Sequence, residues 1–468
     1  MRLELPWHGR FGKSIWPAAA LAAGLALRLW FVWRHAYVSG DTLLYGDIAQ
    51  NLLRHGVYGF SETTAKGIPY IRPTLIRLPG YPLFLLVCFA VFGVGKYTAV
   101  LLVQVAMDLW SCLLLASVAR RLFGPPAGLA ALWLGALCPF LANYAACPLT
   151  ETPTLWCMAL AFYALVRWRE RGGMNRWLWV LGFALAWAIL LRPEQGLLAA
   201  ALVPALAWMA WKSGAGWRPV ALVCVLTLLP LAPWTARNWR TFHVLQPLAP
   251  KYANDPGESN PYGFQRWYRT WAIDFASTDQ VYWNYDGDTI SIGDLPNRAF
   301  DSNQQYAATE AALNQYNQTT TATPAVDAKF AAIAAQRIAA DPLRYYVALP
   351  VARLLNMILR PRVDNLPVPL EWWKFRAHPG ATLFAGFYAA LNLMYLLLAG
   401  DMVGRRRLWT DWAPVVWAMV GTIALRCTLL LTIDNSEPRY TLEFYPVLIV
   451  LASGTFARRV RARKRGTA

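Results

Sequence analysis

Residues 15–52 read "IWPAAALAAGLALRLWFVWRHAYVSGDTLLYGDIAQNL". The stretch 15–34 is almost wholly apolar, and as a helix it is about 30 Å long, the thickness of a bilayer's hydrocarbon core. Its end is rich in Trp and Arg, as at a membrane–water boundary. Two aspartates, Asp41 and Asp47, follow at once. No small-residue cleavage pattern comes after the apolar run, so it is expected to be a retained span rather than a signal peptide.

Working outward, such runs recur along most of the 468 residues. The chain is 57% hydrophobic with 24 Trp, and only 15% is charged, against roughly 25% in soluble domains. The sequence therefore predicts an all-α polytopic membrane protein with about 10 transmembrane helices, within a range of 10–12. The spans are expected near 15–34, 97–119, 125–144, 150–168, 176–191, 195–211, 218–236, 380–399, 411–432 and 439–457. The net charge of +18 would suggest nucleic acid in a soluble protein. Here the excess lies in short loops and in the tail "RRVRARKRGTA", so orientation explains it and no nucleic-acid partner is expected. The seven cysteines lie in or beside apolar segments without paired spacing and read as small buried hydrophobes.

Basic residues accumulate on the cytoplasmic side. "ARRLFG" (119–124), "RWRERGGMNRW" (167–177), "GRRRLW" (404–409) and the C-terminal tail are the strongest basic segments. Ten spans place all four, and both termini, in the cytoplasm. "PGYPLFLLVCFAVFG" (79–93) and "PLRYYVALPVARLLNMILR" (342–360) are then interfacial or re-entrant helices on the outer side. Three domains are expected. They are an N-terminal transmembrane module (1–237) with a first outer loop at 35–79, a soluble outer insertion (238–341), and a C-terminal part (342–468). Within the insertion, "NRAFDSNQQYAATEAALNQYN" and "AVDAKFAAIAAQRIAADP" read as helices, and "NQT" (317–319) fits a glycosylation acceptor that also arises by chance.

Arg28, Asp108 and Arg426 fall deep inside spans. Each costs at least about 2.5–3.5 kcal/mol there unless paired. Asp108 with Arg28 or Arg426 as a structural ion pair is the first reading, and an ion pathway is the second. In the first outer loop, Asp41, Tyr45, Ile48, Ala49, Leu52 and Leu53 follow helical spacing, with Asp41 as N-cap and Gly56 as the end. Asp41 then either caps a surface helix or acts as a general base at the lipid boundary. Arg72, Arg77, Arg192, Arg237, Arg240 and Arg439, the last beside Tyr440, fall in outer corners. Each can snorkel to headgroups, and as a set they suit a phosphate-bearing lipid.

Six motifs carry a resemblance. They are "GDTLLYGDIAQNL", "RLPGYPLFLLVCFAVFG", "ARRLFGPPAGLAALWLGALCPF", "PLTETPTLW", "ILLRPE" and "SEPRYTLEFYPVLIVLAS". In this order they resemble the polytopic GT-C glycosyltransferases. The branch they are most similar to contains protein O-mannosyltransferases, lipid A aminoarabinose transferases and rhizobial core-oligosaccharide transferases. The insertion 238–341 shows little of this likeness.

The resemblance implies the GT-C fold and an inverting transfer from a polyprenyl-phosphate-linked sugar to a glycan, lipid or protein acceptor on the outer face. The membrane would be a bacterial inner membrane. Asp41 matches the family's base and Glu151 its second acidic residue. Arg192 and Arg439 are nearest to the basic residues on the donor phosphate. Arg72, Arg77, Tyr45, Tyr440 and Asp47 are further candidates for donor binding. Thr42 stands where many members have a second acid, a departure from the family pattern, and a compensating role for Asp47 is left open. No His, Cys or Asp cluster has metal-ligand spacing, so no metal is required by the sequence, and a divalent ion on Asp41 and Glu151 is left open. A transporter or lipid flippase, and a non-catalytic relative whose insertion is a binding module, are the competing readings. The insertion, as the largest outer segment, is expected to select the acceptor.

Overall fold

The computed structural model describes residues 15–38, 40–404 and 412–465, the side chains of 457–465 excepted. Most of "GRRRLW" and the side chains of the basic tail thus lie outside the described residues. The chain divides into two units. One comprises Met1–Pro256, Met394–Ile423 and Leu442–Ala468, and the other comprises Gly257–Leu393 and Ala424–Thr441.

In the first unit, α1 (Trp16–His35) is followed by α2 (Gly40–His55) and a hairpin of β1 (Gly59–Thr63) and β2 (Pro69–Pro73). The hairpin is antiparallel, with Phe60 opposite Arg72 and Glu62 opposite Tyr70. It corrects the all-α expectation. Next come α3 (Gly80–Phe92), α4 (Tyr97–Phe123), α5 (Pro125–Ala136), α6 (Pro139–Ala145), α7 (Glu151–Arg171), α8 (Arg176–Leu191) and α9 (Gly196–Lys212). The helices Arg218–Leu228 and Leu231–Phe242 complete the N-terminal part. Prolines stand in the first turns of α1, α5 and α6, where a missing N–H costs nothing.

A helix occurs at every one of the ten expected spans. Among the described residues, however, five are long and apolar enough to cross a membrane, or six if α5 and α6, bent by 52°, are one span. The count of about ten spans is thus not carried by length and apolarity. α7 shows why. All of its residues from Glu151 to Trp168 are buried, so its sequence answers to protein neighbours rather than to lipid. With 13 residues, α3 reaches only about 20 Å.

The ion pair inside the bundle has a clear purpose. The bend between α5 and α6 interrupts the hydrogen-bond ladder at Pro139, which has no N–H to give Gly135 O, and leaves that carbonyl only a long bond from Cys138 N at 3.3 Å. Arg28 donates from Nη1 to Ala136 O at 2.7 Å and from Nη2 to Gly135 O at 3.2 Å. Its Nε donates to Asp108 Oδ2 at 2.7 Å. The guanidinium caps a broken helix and Asp108 neutralises it, both fully buried. Of the two arginines weighed for Asp108, Arg28 is the partner. Arg426, in the second unit, donates to Tyr440 O at 3.2 Å.

The second unit packs an aromatic core. Phe264, Trp267, Tyr268, Trp271, Tyr316 and Phe330 are all buried in one cluster. The two expected helices are present as Asn303–Asn317 and Pro324–Ala340, capped by Ser302 and Thr323. Asn317 of the "NQT" triplet exchanges two hydrogen bonds with the Ile290 backbone, at 3.0 and 2.9 Å. Its amide is therefore engaged in holding the Ile290 backbone. In the segment 342–360, Arg353 is buried and donates to Arg269 O and Ala272 O. Leu343, Tyr346, Val347, Val351, Leu355 and Leu359 are exposed, an apolar stripe at helical spacing.

Candidate active site

The helix α2 begins at Gly40, so Asp41 lies inside its first turn rather than at the cap. There its charge favours the helix N-terminus. At the far end Gly56 takes φ +69° and donates to Leu52 O at 3.1 Å, the left-handed stop that glycine permits.

Asp41 is ion-paired to Arg77, Nη2 to Oδ1 at 2.8 Å, and is about a quarter exposed. Tyr45, one turn on, lies under the same guanidinium, 5.7 Å from ring centroid to Cζ, and edge-on to Tyr81. A second pair forms where α7 starts and α8 ends. Arg192 Nη1 donates to Glu151 Oε1 at 2.9 Å. Its Nε lies 2.8 Å from Glu194 and 3.3 Å from Glu443. Gln195 donates to Glu443 at 2.5 Å. Glu151 and Glu443 are buried, and the second oxygen of Glu151 has no hydrogen-bond partner.

Tyr45 joins the two pairs. Burial pushes its phenol up to about 12, with Arg77, Asp41, Glu151 and Arg192 all acting on it electrostatically. It therefore stays a neutral hydrogen-bond donor across the physiological range. The corner leading into Glu151 is fixed to the same elements. Thr42 donates to Pro148 O at 3.2 Å. Gln104 of α4 accepts from Tyr81 at 2.9 Å and donates to Cys147 O at 2.7 Å. Gly80 is needed as well, since a Cβ there would come within 2.5 Å of the Leu190 backbone. That close approach sets the end of α8, two residues before Arg192.

The other candidates serve different ends. Asp47 accepts from Ser61 N at 2.6 Å, Ser61 Oγ at 2.7 Å and Asn51 Nδ2 at 3.2 Å, so it ties the hairpin to α2. Arg72 bridges Glu62 and Asp255 at 2.6 and 2.7 Å, fixing the hairpin from its other strand. Arg237 donates to Thr74 O and Tyr58 O, both at 2.7 Å. Arg439 and Tyr440 belong to the second unit. There both engage Glu437, Tyr440 at 2.7 Å. Sequence reading did not single out Glu443, Gln195, Thr42 as an anchor, or Gln104. The signal for Glu443 was a carboxylate directly before the apolar run that ends the sixth motif.

Among the described residues, no group of three or more His, Cys, Asp or Glu could hold a metal ion. Asp41 and Glu151 each face an arginine instead. This donor set does not fit a divalent ion, and no step below is routed through one.

Residues 73–235 match the family model described as dolichyl-phosphate-mannose-protein mannosyltransferase. That segment is similar to this family of membrane glycosyltransferases. The match covers about a third of the chain and contains four of the six motifs, together with Arg77, Glu151 and Arg192. No curated protein sequence matches. Among solved structures, ArnT from Cupriavidus metallidurans bound to undecaprenyl phosphate is 14% identical, with 96% of this chain and 79% of that one covered and a TM-score of 0.41. The apo oligosaccharyltransferase of Archaeoglobus fulgidus is 14% identical, with 97% and 52% covered and a TM-score of 0.49. The complex of that enzyme with an inhibitory peptide and a dolichol-phosphate is 13% identical, with 97% and 51% covered and a TM-score of 0.47. The chain thus spans about half the length of the archaeal enzyme.

Proposed function

We propose that this chain is an inverting glycosyltransferase that moves a sugar from a polyprenyl-phosphate donor to a hydroxyl-bearing glycan, lipid or protein acceptor on the outer face of the membrane. The observation that carries the proposal is the presence of two carboxylate–guanidinium pairs, Asp41–Arg77 and Glu151–Arg192, on elements tied together by Thr42 and Pro148. The family match over 73–235 supports the same reading.

Asp41 is the more exposed carboxylate and serves as the base. It takes the proton of the acceptor hydroxyl as that oxygen bonds to the anomeric carbon. The bond from that carbon to the phosphate oxygen breaks, and the polyprenyl phosphate leaves as a stable anion. Arg77 and Arg192 stabilise its growing charge, and Tyr45 can donate to it. Glu151 has one oxygen on Arg192 and the other without a partner, which suits it to accept from a sugar hydroxyl. Arg72 and Asp47 hold the hairpin and are given no donor contact.

The test uses purified protein in proteoliposomes with a panel of labelled polyprenyl-phosphate sugars. Label is followed from the lipid phase into glycan, lipid or protein acceptors. Transfer that requires the protein is expected. Uptake of solute without any transfer would instead support a transporter and sink the proposal.

A further inference from the structure

At the opposite end of α7 the bundle opens into a cleft of about 930 Å³. Its walls come from the end of α7, from α9 and from Ala413, Pro414, Trp417, Ala418 and Gly421, and these lining residues all lie in the first unit. Arg169 lies 18 residues beyond Glu151 along α7, so the cleft is about 27 Å from the candidate active site, close to the thickness of the hydrocarbon core. Trp168, Trp208 and Trp417 line it together with Arg169 and Lys212. Among the described residues no carboxylate lines it. Lys212 lies 5.1 Å from the Trp208 ring centroid and Arg169 lies 5.1 Å from that of Trp412. Gly421 leaves one wall open: a Cβ built there meets nothing closer than Ala201 Cβ at 3.9 Å.

We propose that this cleft is a binding site for an anionic phospholipid of the bilayer. The apolar lining suits acyl chains, the tryptophans mark the interfacial level, and the two cations suit a phosphate headgroup between helices. A zwitterionic lipid would present its own cation to Arg169 and Lys212. The volume is within the range of sites that enclose a ligand. None of these residues belongs to the candidate active site, so the inference does not depend on the transferase reading.

The full chain is purified in detergent and titrated with dioleoyl phosphatidylglycerol or dioleoyl phosphatidylcholine, with bound lipid counted by native mass spectrometry. Phosphatidylglycerol is expected to be retained in preference. The double substitution Arg169→Gln with Lys212→Gln should weaken it about five-fold per cation removed. Gly421→Leu, which fills the cleft, should abolish retention at an unchanged melting temperature. If that variant does not fold, the double substitution decides. Equal retention of the two lipids, or unchanged retention by the double variant, overturns the proposal. So does displacement of phosphatidylglycerol by equimolar undecaprenyl phosphate, which would make the carrier the occupant.

Discussion

Consider Arg192→Ala. The guanidinium is largely buried and faces Glu151, Glu194 and Glu443 at 2.9, 2.8 and 3.3 Å. Two of these carboxylates are themselves buried. Removing one partner of a buried ion pair costs about 3–5 kcal/mol, because the charge left behind has no compensation. For a chain of this length the unfolding entropy is about 1 kcal/mol/K, so the melting temperature should fall by about 3–5 °C. Transfer should fall too, by the 10²–10³-fold typical of losing one donor to a developing anion. The two effects separate in a triple variant that adds Glu194→Gln and Glu443→Gln. Neutralising those carboxylates should restore part of the melting temperature, since Glu151 stays charged, but none of the transfer. Thermal unfolding in detergent and labelled-sugar transfer are read on the same preparations. A single variant that melts like the parent would refute the electrostatic argument. A triple variant that regains transfer would show that Arg192 only balances charge.

Three further outcomes follow from the geometry. Gly80→Ala should depress transfer at least ten-fold with only modest loss of secondary structure by circular dichroism, because the new methyl must push the Leu190 backbone away and shift Arg192. Asp47→Ala removes three hydrogen bonds to the Ser61–Asn51 cluster, so limited proteolysis should cut within 59–73, while Asp47→Asn retains partial protection. Asp301 in the second unit is held below the usual carboxylate range, first by hydrogen bonds from Arg344 and against some burial. A carboxylate depressed on folding adds stability above its unfolded pKa and loses it as pH falls through the folded value. Melting temperature should therefore drop more steeply below about pH 4 in the parent than in Asp301→Asn.

The positions of all ten helices were legible because apolar runs are bounded by Pro, Trp and Arg. Their roles were not. Hydropathy does not separate a helix facing lipid from one enclosed by protein, and α7 is enclosed. The need of Asp108 for a partner was readable from the cost of burying a charge. That the partner is Arg28 depends on the carbonyls freed at the bend after Ala136, which only the fold reveals. Arg72 and Arg77 looked equivalent in sequence, five residues apart in one loop. The hairpin divides them, giving Arg72 to Glu62 and Asp255 and Arg77 to Asp41. The hairpin itself went unread because "GFSET" and "PYIRP" are short and lack clear alternation. Helical spacing set Asp41 at the start of α2 and Asp47 nearly two turns in. The ties of Asp47 to Ser61 explain why it reads as a strut. In the sixth motif the sequence drew attention to Arg439, while the fold of the first unit sets Glu443 against Arg192.

The central claim is that Asp41 takes the acceptor's proton. It is tested by comparing Asp41→Asn with the parent in two measurements, equilibrium binding of the polyprenyl-phosphate donor and single-turnover transfer at saturating donor. Asparagine keeps the size of the side chain and removes the base. Donor affinity within a few-fold of the parent and a transfer rate lower by about 10²–10⁴ are predicted. A transfer rate unchanged at equal donor occupancy would contradict the account.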